Sequence, residues 1–414
     1  MSTSTIERLN PFLAKVTSDP YTYYRRYREQ DPVHWGVSSN PNLSGAWYVF
    51  RYEDVMKVME DRQFGREHIK REDVETTPVP SAYNTFLTMV SKWIVFREPP
   101  DHTRLKSLVS KAFTAKVVEN LRPAVYQIAD MLLDKVHARG EMDLVEEYAF
   151  PLPIMVIATM LGADPNDHTL FRKWALALQN ASASRLKPPP NIYENAEKAS
   201  QDFINYFKPI ISDRRANPRE DLISNLVKAA DEGDKLSDEE IVATCTHLLT
   251  AGHETTVNLI AKGTIALLQN PESYKLLRSH PEYMPNAIEE MIRYDTPIQM
   301  VTRWAYADVE IGGQQIKRGD SVGIMLGSAN RDPARFKNPE VFDIQREDTK
   351  SAGFGGGIHY CLGTALARAE GQISLNVLLN RLPDLHLVNE NIDWANNIIF
   401  HGPNQLQVGF RKPG

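Results

Sequence analysis

Cys361 lies near the end of a glycine-rich run, Gly353-Phe-Gly-Gly-Gly-Ile-His-Tyr-Cys-Leu-Gly363, two residues after His359. The run opens into Thr364–Leu379, where alanines and leucines recur at helical spacing. A cysteine is therefore expected where a loop meets a helix N-terminus. Unpaired amide N–H groups and the positive end of the helix dipole favour an anion there, so the thiol should ionise readily. A thiolate is both a nucleophile and a metal ligand. The glycines permit unusual backbone angles and let the main chain lie close against something flat or bulky. A cysteine that only fills a core needs no such loop.

Two other readings of the loop are weaker. A phosphate cradle lacks the Lys-Ser/Thr expected after its glycines, and zinc would need further Cys or His ligands at short spacing. A single protein thiolate suits haem iron better. A second group with chemical potential is Ala251-Gly-His-Glu-Thr-Thr256, inside a long helical segment. Glycine and paired threonines are poor helix formers in a place that should favour leucine. The glycine would let a flat cofactor or a small ligand approach, while Glu254 and Thr255 supply a carboxylate and a hydroxyl, the parts of a proton relay. The third is Glu290-Met-Ile-Arg293, whose i,i+3 spacing sets an ion pair on one helix face.

The elements that must position these groups are mostly helical. Ser237-Asp-Glu-Glu240 is a capping box that launches Asp238–Gln269, ended by Asn270-Pro271. About thirty residues at 1.5 Å each give roughly 45 Å, the length of a central beam. Periodicity predicts further helices over Pro20–Gln30, Glu53–Glu60, Asp101–Phe113 with Asp101 as N-cap, Val117–Arg139, Leu152–Leu161, Asp167–Ala181, Ile192–Arg215, Leu222–Ala230 and Pro285–Tyr294. Strands are expected at Trp47–Arg51, Met142–Leu144, Leu385–Val388 and Leu406–Phe410, with hairpins across Arg303–Val322. Gly65–Ser91 and Asn330–Arg346 read as irregular, and Ala183–Asn191, with Pro188-Pro-Pro190, as a stiff connector. The fold class is mainly α with small β-sheets, in one domain over residues 1–414 whose first 15 or so residues are an N-terminal extension.

A chain of 414 residues, 42% hydrophobic, can bury a large core. Net charge is −6 and no basic run stands out, which argues against nucleic acid or an anionic membrane as the main partner. Two cysteines make no disulfide framework, and no apolar run suits a signal peptide or membrane span. A soluble cytoplasmic protein is expected.

Together the three motifs resemble the cytochrome P-450 family, soluble bacterial type. The loop matches its haem-binding signature at Phe354, Gly355, Gly357, His359, Cys361 and Gly363. The long helix is similar to its oxygen-binding helix at Ala251, Gly252, Glu254 and Thr255, and Glu290 and Arg293, with Arg346 as third partner, resemble its structural ion-pair set. The resemblance implies the family's fold, a triangular α-rich prism with haem between the long helix and the cysteine-loop helix. It also implies a monooxygenase that inserts one oxygen atom of O2 into a hydrophobic small molecule, by hydroxylation or epoxidation. The molecule would be a natural-product intermediate such as a polyketide, macrolide or terpenoid, with steroids and fatty acids as alternatives. Cys361 would be the axial thiolate of haem b. Glu254 and Thr255 would manage protons, and Ala251, Phe354, Gly355 and Gly363 would flank the ring.

His102, Arg303 and His359 fall at the propionate-binding positions. Lys106 stands where the family usually has arginine and is kept as a candidate. Thr244, His247, Leu248, Ala251, Ile298, Met300, Val301, Ile399 and Phe400 would line the substrate pocket. Its walls would also include the Gly65–Ser91 loop and the Ala183–Asn191 connector. His247 and His401 could anchor a polar group. Electrons would come from NAD(P)H through ferredoxin reductase and ferredoxin, docking on Lys106, Lys111, Lys116, Lys350 and Arg368. A monomer is expected. A peroxide-driven peroxygenase or a haem-based sensor would use the same pocket.

Overall fold

The structure is a computed structural model that describes residues 6–40, 42–67, 81–182, 190–231 and 236–412. Its helices are α1 (Ala14–Thr17), α2 (Pro20–Gln30), α3 (Tyr52–Glu60), α4 (Asn84–Ser91), α5 (Asp101–Ala112), α6 (Ala115–Asp134), α7 (Pro151–Leu161), α8 (His168–Ser182), α9 (Ile192–Ala216), α10 (Leu222–Asp231), α11 (Asp238–Gln269), α12 (Pro271–Ser279), α13 (Met284–Tyr294), α14 (Leu326–Ala329) and α15 (Thr364–Arg381). The strands are β1 (Val33–Gly36), β2 (Ala46–Val49), β3 (Phe64–Gly65), β4 (Glu141–Asp143), β5 (Met300–Ala305), β6 (Val309–Ile311), β7 (Gln314–Ile316), β8 (Ser321–Met325), β9 (His386–Leu387) and β10 (Gln407–Gly409). A five-stranded sheet runs β1-β2-β8-β5-β3, a small one β4-β10-β9, and β6-β7 is a hairpin on Gly312-Gly313, both at positive φ.

The mainly helical fold with small sheets matches expectation, and α11 has the predicted limits. Ser237 accepts from the Glu240 N–H while the Glu240 carboxylate accepts from the Ser237 N–H, so both ends of the capping box are made. The threonines of α11 are tolerated because Thr244, Thr246, Thr250, Thr255 and Thr264 each donate to the carbonyl four residues back. Thr256 alone departs, donating to Glu370 of α15.

Two local expectations change and two elements are added. Gly65–Ser91 is not wholly irregular, since Asn84–Ser91 is helical and buries Phe86 and Met89; residues 68–80 of that stretch lie outside the described residues, as do 183–189 of the proline connector. Asp101 is not an N-cap. It lies inside the first turn of α5 and pairs with Arg97, while Pro100 holds the cap position. Pro271–Ser279 and Val33–Gly36, for which no element was expected, form α12 and β1.

The ion-pair set is built as expected. Arg293 Nε and Nη2 donate to the two Glu290 oxygens at 2.7 and 2.8 Å, and Arg346 Nε donates to Oε2 at 3.0 Å. Arg293 Nη1 donates to the Asn330 carbonyl, and the Asn330 side chain accepts from Ala352 N–H at 2.7 Å. The buried triad thus reaches the residue before the glycine-rich run. Gly353 is pressed on α13, where a Cβ would meet Ile292 Cγ2 at 2.4 Å.

Candidate active site

The glycine-rich run is folded by its own backbone. Cys361 N–H donates to the Phe354 carbonyl at 3.0 Å and Gly355 N–H to that of Ala352 at 2.9 Å. Gly357 has φ 62° and a Cβ there would stand 2.5 Å from the Met59 carbonyl, so no other residue fits. The Thr364 hydroxyl donates to the Cys361 carbonyl at 2.8 Å, and α15 begins. Cys361 keeps accessible surface on its open side, yet the loop encloses the rest of it. One expectation is reversed here. Burial pushes the thiol up, against the Gly363 N–H, the Thr364 hydroxyl, Lys106 and Arg368, so the helix start does not by itself make a thiolate.

Opposite the loop stands the middle of α11. The two helices touch at Thr256 with Glu370, at Leu259 with Gly371 and at Gly263 with Leu375, so both numberings rise in the same direction. Residues on the N-terminal side of that contact therefore flank one wedge. Ala251–Thr255 form its upper wall and Cys361–Gly363 its lower one. The open surface agrees: Ala251 is exposed in the middle of a buried helix, as is Cys361. Gly252 does not face this wedge. A Cβ on it would lie 2.7 Å from Ile157 Cδ1, so this glycine lets α7 approach α11.

Glu254 and Thr255 behave differently. Thr255 is turned back on the Ala251 carbonyl at 3.0 Å. Glu254 Oε2 is buried with no partner, and burial pushes its carboxyl up to about 7, opposed by Arg172. Arg172 donates to both Glu146 oxygens at 2.6 and 2.7 Å and lies over the Phe150 ring. It lines a surface cavity of about 250 Å³ with Phe150, Ile154 and His168. Glu370, which sequence reasoning did not single out, is raised as well; burial lifts it to about 8, opposed by the Thr256 hydroxyl.

Cations gather at one edge. Arg303 and His102 are buried, and His359 Nε2 pairs with Glu98 Oε1 at 2.9 Å. The His102 and His359 rings meet edge to face at 4.6 Å. Burial, then His359 and Lys106, lower His102 to about 4. Lys106 itself does not join them. Its ammonium donates to the carbonyls of Ile358 at 2.5 Å and Tyr360 at 3.4 Å, which places it on the cysteine loop. Sequence reasoning missed Arg66, which reaches this edge from the end of β3 and carried no motif.

The expected pocket residues separate into two groups. Leu248, Ile298, Val301, Ile399 and Phe400 keep partial exposure, with Ile298 and Phe400 bridged. His247 stacks on Trp93 at 5.2 Å and is lowered to about 4 by burial. Thr244 and Met300 are covered instead. Met300 packs with Tyr24, Tyr48 and Met325, because the strand alternation that presents Val301 turns its neighbour away. His401 is no polar anchor: it is buried, stacked on Trp394, with Nε2 at 2.7 Å from the Thr17 carbonyl. Lys111, Lys116 and Lys350 are exposed, whereas Arg368 is paired with Glu289.

One thiol, small and polar residues facing it and buried cations at one edge fit a haem. Among the described residues no group of three or more His, Cys, Asp or Glu could hold a metal ion, so Cys361 would act alone. No described helix is long and apolar enough to cross a membrane. The family profile described as "Cytochrome P450" matches residues 43–383. The polyketide biosynthesis cytochrome P450 PksS of Bacillus subtilis (strain 168) is 37% identical over 401 residues, 95% of this chain and 96% of the relative. Nocardicin C N-oxygenase of Nocardia uniformis subsp. tsuyamanensis is 36% identical, covering 98% of this chain and 99% of its own. Among solved structures, P450BioI in complex with an acyl-ligated acyl carrier protein superposes with TM-score 0.88 at 34% identity, over 96% of this chain and 99% of that one.

Proposed function

The chain belongs to the cytochrome P450 family of monooxygenases, and from that premise we propose that it oxidises a hydrophobic natural-product intermediate of polyketide or related acyl type. Cys361 would hold the iron of haem b through its sulfur, with electrons arriving from NAD(P)H through ferredoxin reductase and ferredoxin. When bound, the haem iron supplies oxygen activation. The observation that carries the reading is the pairing of α11 with α15, which sets the exposed Ala251 turn and the exposed Cys361 on the same, N-terminal side of the Thr256–Glu370 contact.

This chain's residues then have separable tasks. Ala251, exposed on α11, would leave room for the group, and Phe354, Gly355 and Gly363 shape the loop that would hold it. The Thr255 hydroxyl, released from the Ala251 carbonyl, can hold a proton donor at the wedge. Glu254, with a pKa near 7, can both take and give a proton at working pH. Arg172, which opposes the upward shift of that carboxyl, lines a cavity open to the surface. Leu248, Ile298, Val301 and Phe400 exclude water and favour an apolar substrate. The substrate class is supported by relatives whose names refer to polyketide and biotin biosynthesis.

Thr255→Ala tests the reading. It should retain haem and consume NAD(P)H at a comparable rate, but divert at least half of the electrons into hydrogen peroxide. Unchanged coupling of NAD(P)H to product would remove Thr255 from proton delivery.

A further inference from the structure

Arg66 and Arg303 converge on one oxygen. Each donates through Nη1 to the Thr302 carbonyl at 2.9 Å, so two guanidinium groups meet at the edge of the wedge. Arg66 is held there by a bond from Nε to the Val95 carbonyl at 3.1 Å and by the Phe96 ring beneath it. The carboxylate at hand is Glu98, and it is already engaged by the Arg66 backbone N–H and by His359. Burial and mutual repulsion lower Arg303 to about 9, and burial lowers Arg66 to about 10. Two like charges brought together out of water with one shared carboxylate are short of negative charge. Lys106, the cation expected on this edge, is withdrawn to the Ile358 and Tyr360 carbonyls.

We infer that Arg66 supplies the second guanidinium to the carboxylate edge of the haem, taking over the contact that Lys106 has left. This rests on the haem reading above. Arginine suits the task because its planar fork can keep the Thr302 and Val95 carbonyls and still offer Nη2 to a carboxylate. Lys106 becomes a clamp on the cysteine loop instead. Arg66 also lies within electrostatic reach of His247 in the pocket, so an anionic substrate end is the competing occupant.

The test measures haem transfer from the purified holoprotein to apomyoglobin, for wild type, Arg66→Leu, Arg66→Lys and Lys106→Ala. It is repeated after reconstitution with haem dimethyl ester, which has no free carboxylate. Arg66→Leu should release haem about tenfold faster or more and Arg66→Lys less so, while any effect of Lys106→Ala, whose side chain clamps the cysteine loop, should be the same with haem and with its diester. With the diester the Arg66 effect should vanish. An effect that persists with the diester would mean that Arg66 only packs against Phe96, and the inference fails. It fails too if Arg66→Leu keeps haem at the wild-type rate but loses the spectral shift caused by fatty acids while keeping that of the matching alcohols. The reduced carbon monoxide spectrum of Arg66→Leu separates the two levels: a thiolate-type band there preserves the haem reading whatever the transfer rates are.

Discussion

Two buried clusters of arginine and glutamate stand on either side of the cysteine loop, and they are finished differently. Around Glu290 both guanidinium groups bond the carboxylate directly, and their remaining N–H groups end on the carbonyls of Asn330, Pro339, Val341, Lys337 and Asn338. Around Glu98 the pairing is open: the carboxylate takes the Arg66 backbone N–H and His359, while the Arg66 and Arg303 guanidinium groups crowd one carbonyl. A closed cluster fixes a loop in place. An open one stores electrostatic cost that a ligand of opposite charge relieves, so incomplete pairing, more than burial, separates the binding edge from the structural one.

The comparison breaks first at Glu290. Glu290→Ala leaves Arg293 buried and unpaired, and should destabilise the protein by about 3–5 kcal/mol, with haem incorporation lost in proportion; urea unfolding with absorbance of the haem band checks it. At the open edge the sign should reverse for the apoprotein. Arg303→Leu removes a repelled cation and should leave the urea midpoint of the apoprotein unchanged or higher, while haem release accelerates about tenfold.

A third test uses pH. Glu370 has a folded pKa raised to about 8, so the folded state keeps a proton that the unfolded state loses near the ordinary carboxyl value. Its contribution to stability is therefore full below that ordinary value and falls as pH rises toward 8, by about 1.4 kcal/mol per pH unit. Glu370→Gln should flatten this slope in urea midpoints taken across the window. The smallest effect is expected at the surface. Lys111→Glu with Lys116→Glu should raise the KM for ferredoxin a few-fold at low salt, converge with wild type at high salt and leave the unfolding midpoint unchanged.

What the sequence disclosed followed from how local each signal is. The cysteine loop, the capping box at Ser237 and the i,i+3 pair at Glu290 are short patterns whose partners lie within a few residues, and the structure builds each of them. Arg66 could not be read this way. Its role depends on β3 meeting β5, where Gly65 pairs with Trp304 across more than two hundred residues, and a lone arginine in a patternless stretch carries no trace of that. Gly252 misled for a related reason: a glycine amid site residues looks like ligand space, yet the neighbour that needs the room is Ile157. Lys106 shows a limit of motif transfer, since a shorter reach to carbonyls on the loop outweighs its position in the pattern.

The open edge has meaning only if a metal is bound below it by Cys361. The direct measurement is the carbon monoxide difference spectrum of the reduced protein and of Cys361→Ser. Wild type should show the red-shifted Soret band of thiolate-ligated haem, and Cys361→Ser should lack it. A Cys361→Ser protein that keeps the thiolate-type band would contradict the assignment, because Cys245, the one other cysteine, is fully buried in the core.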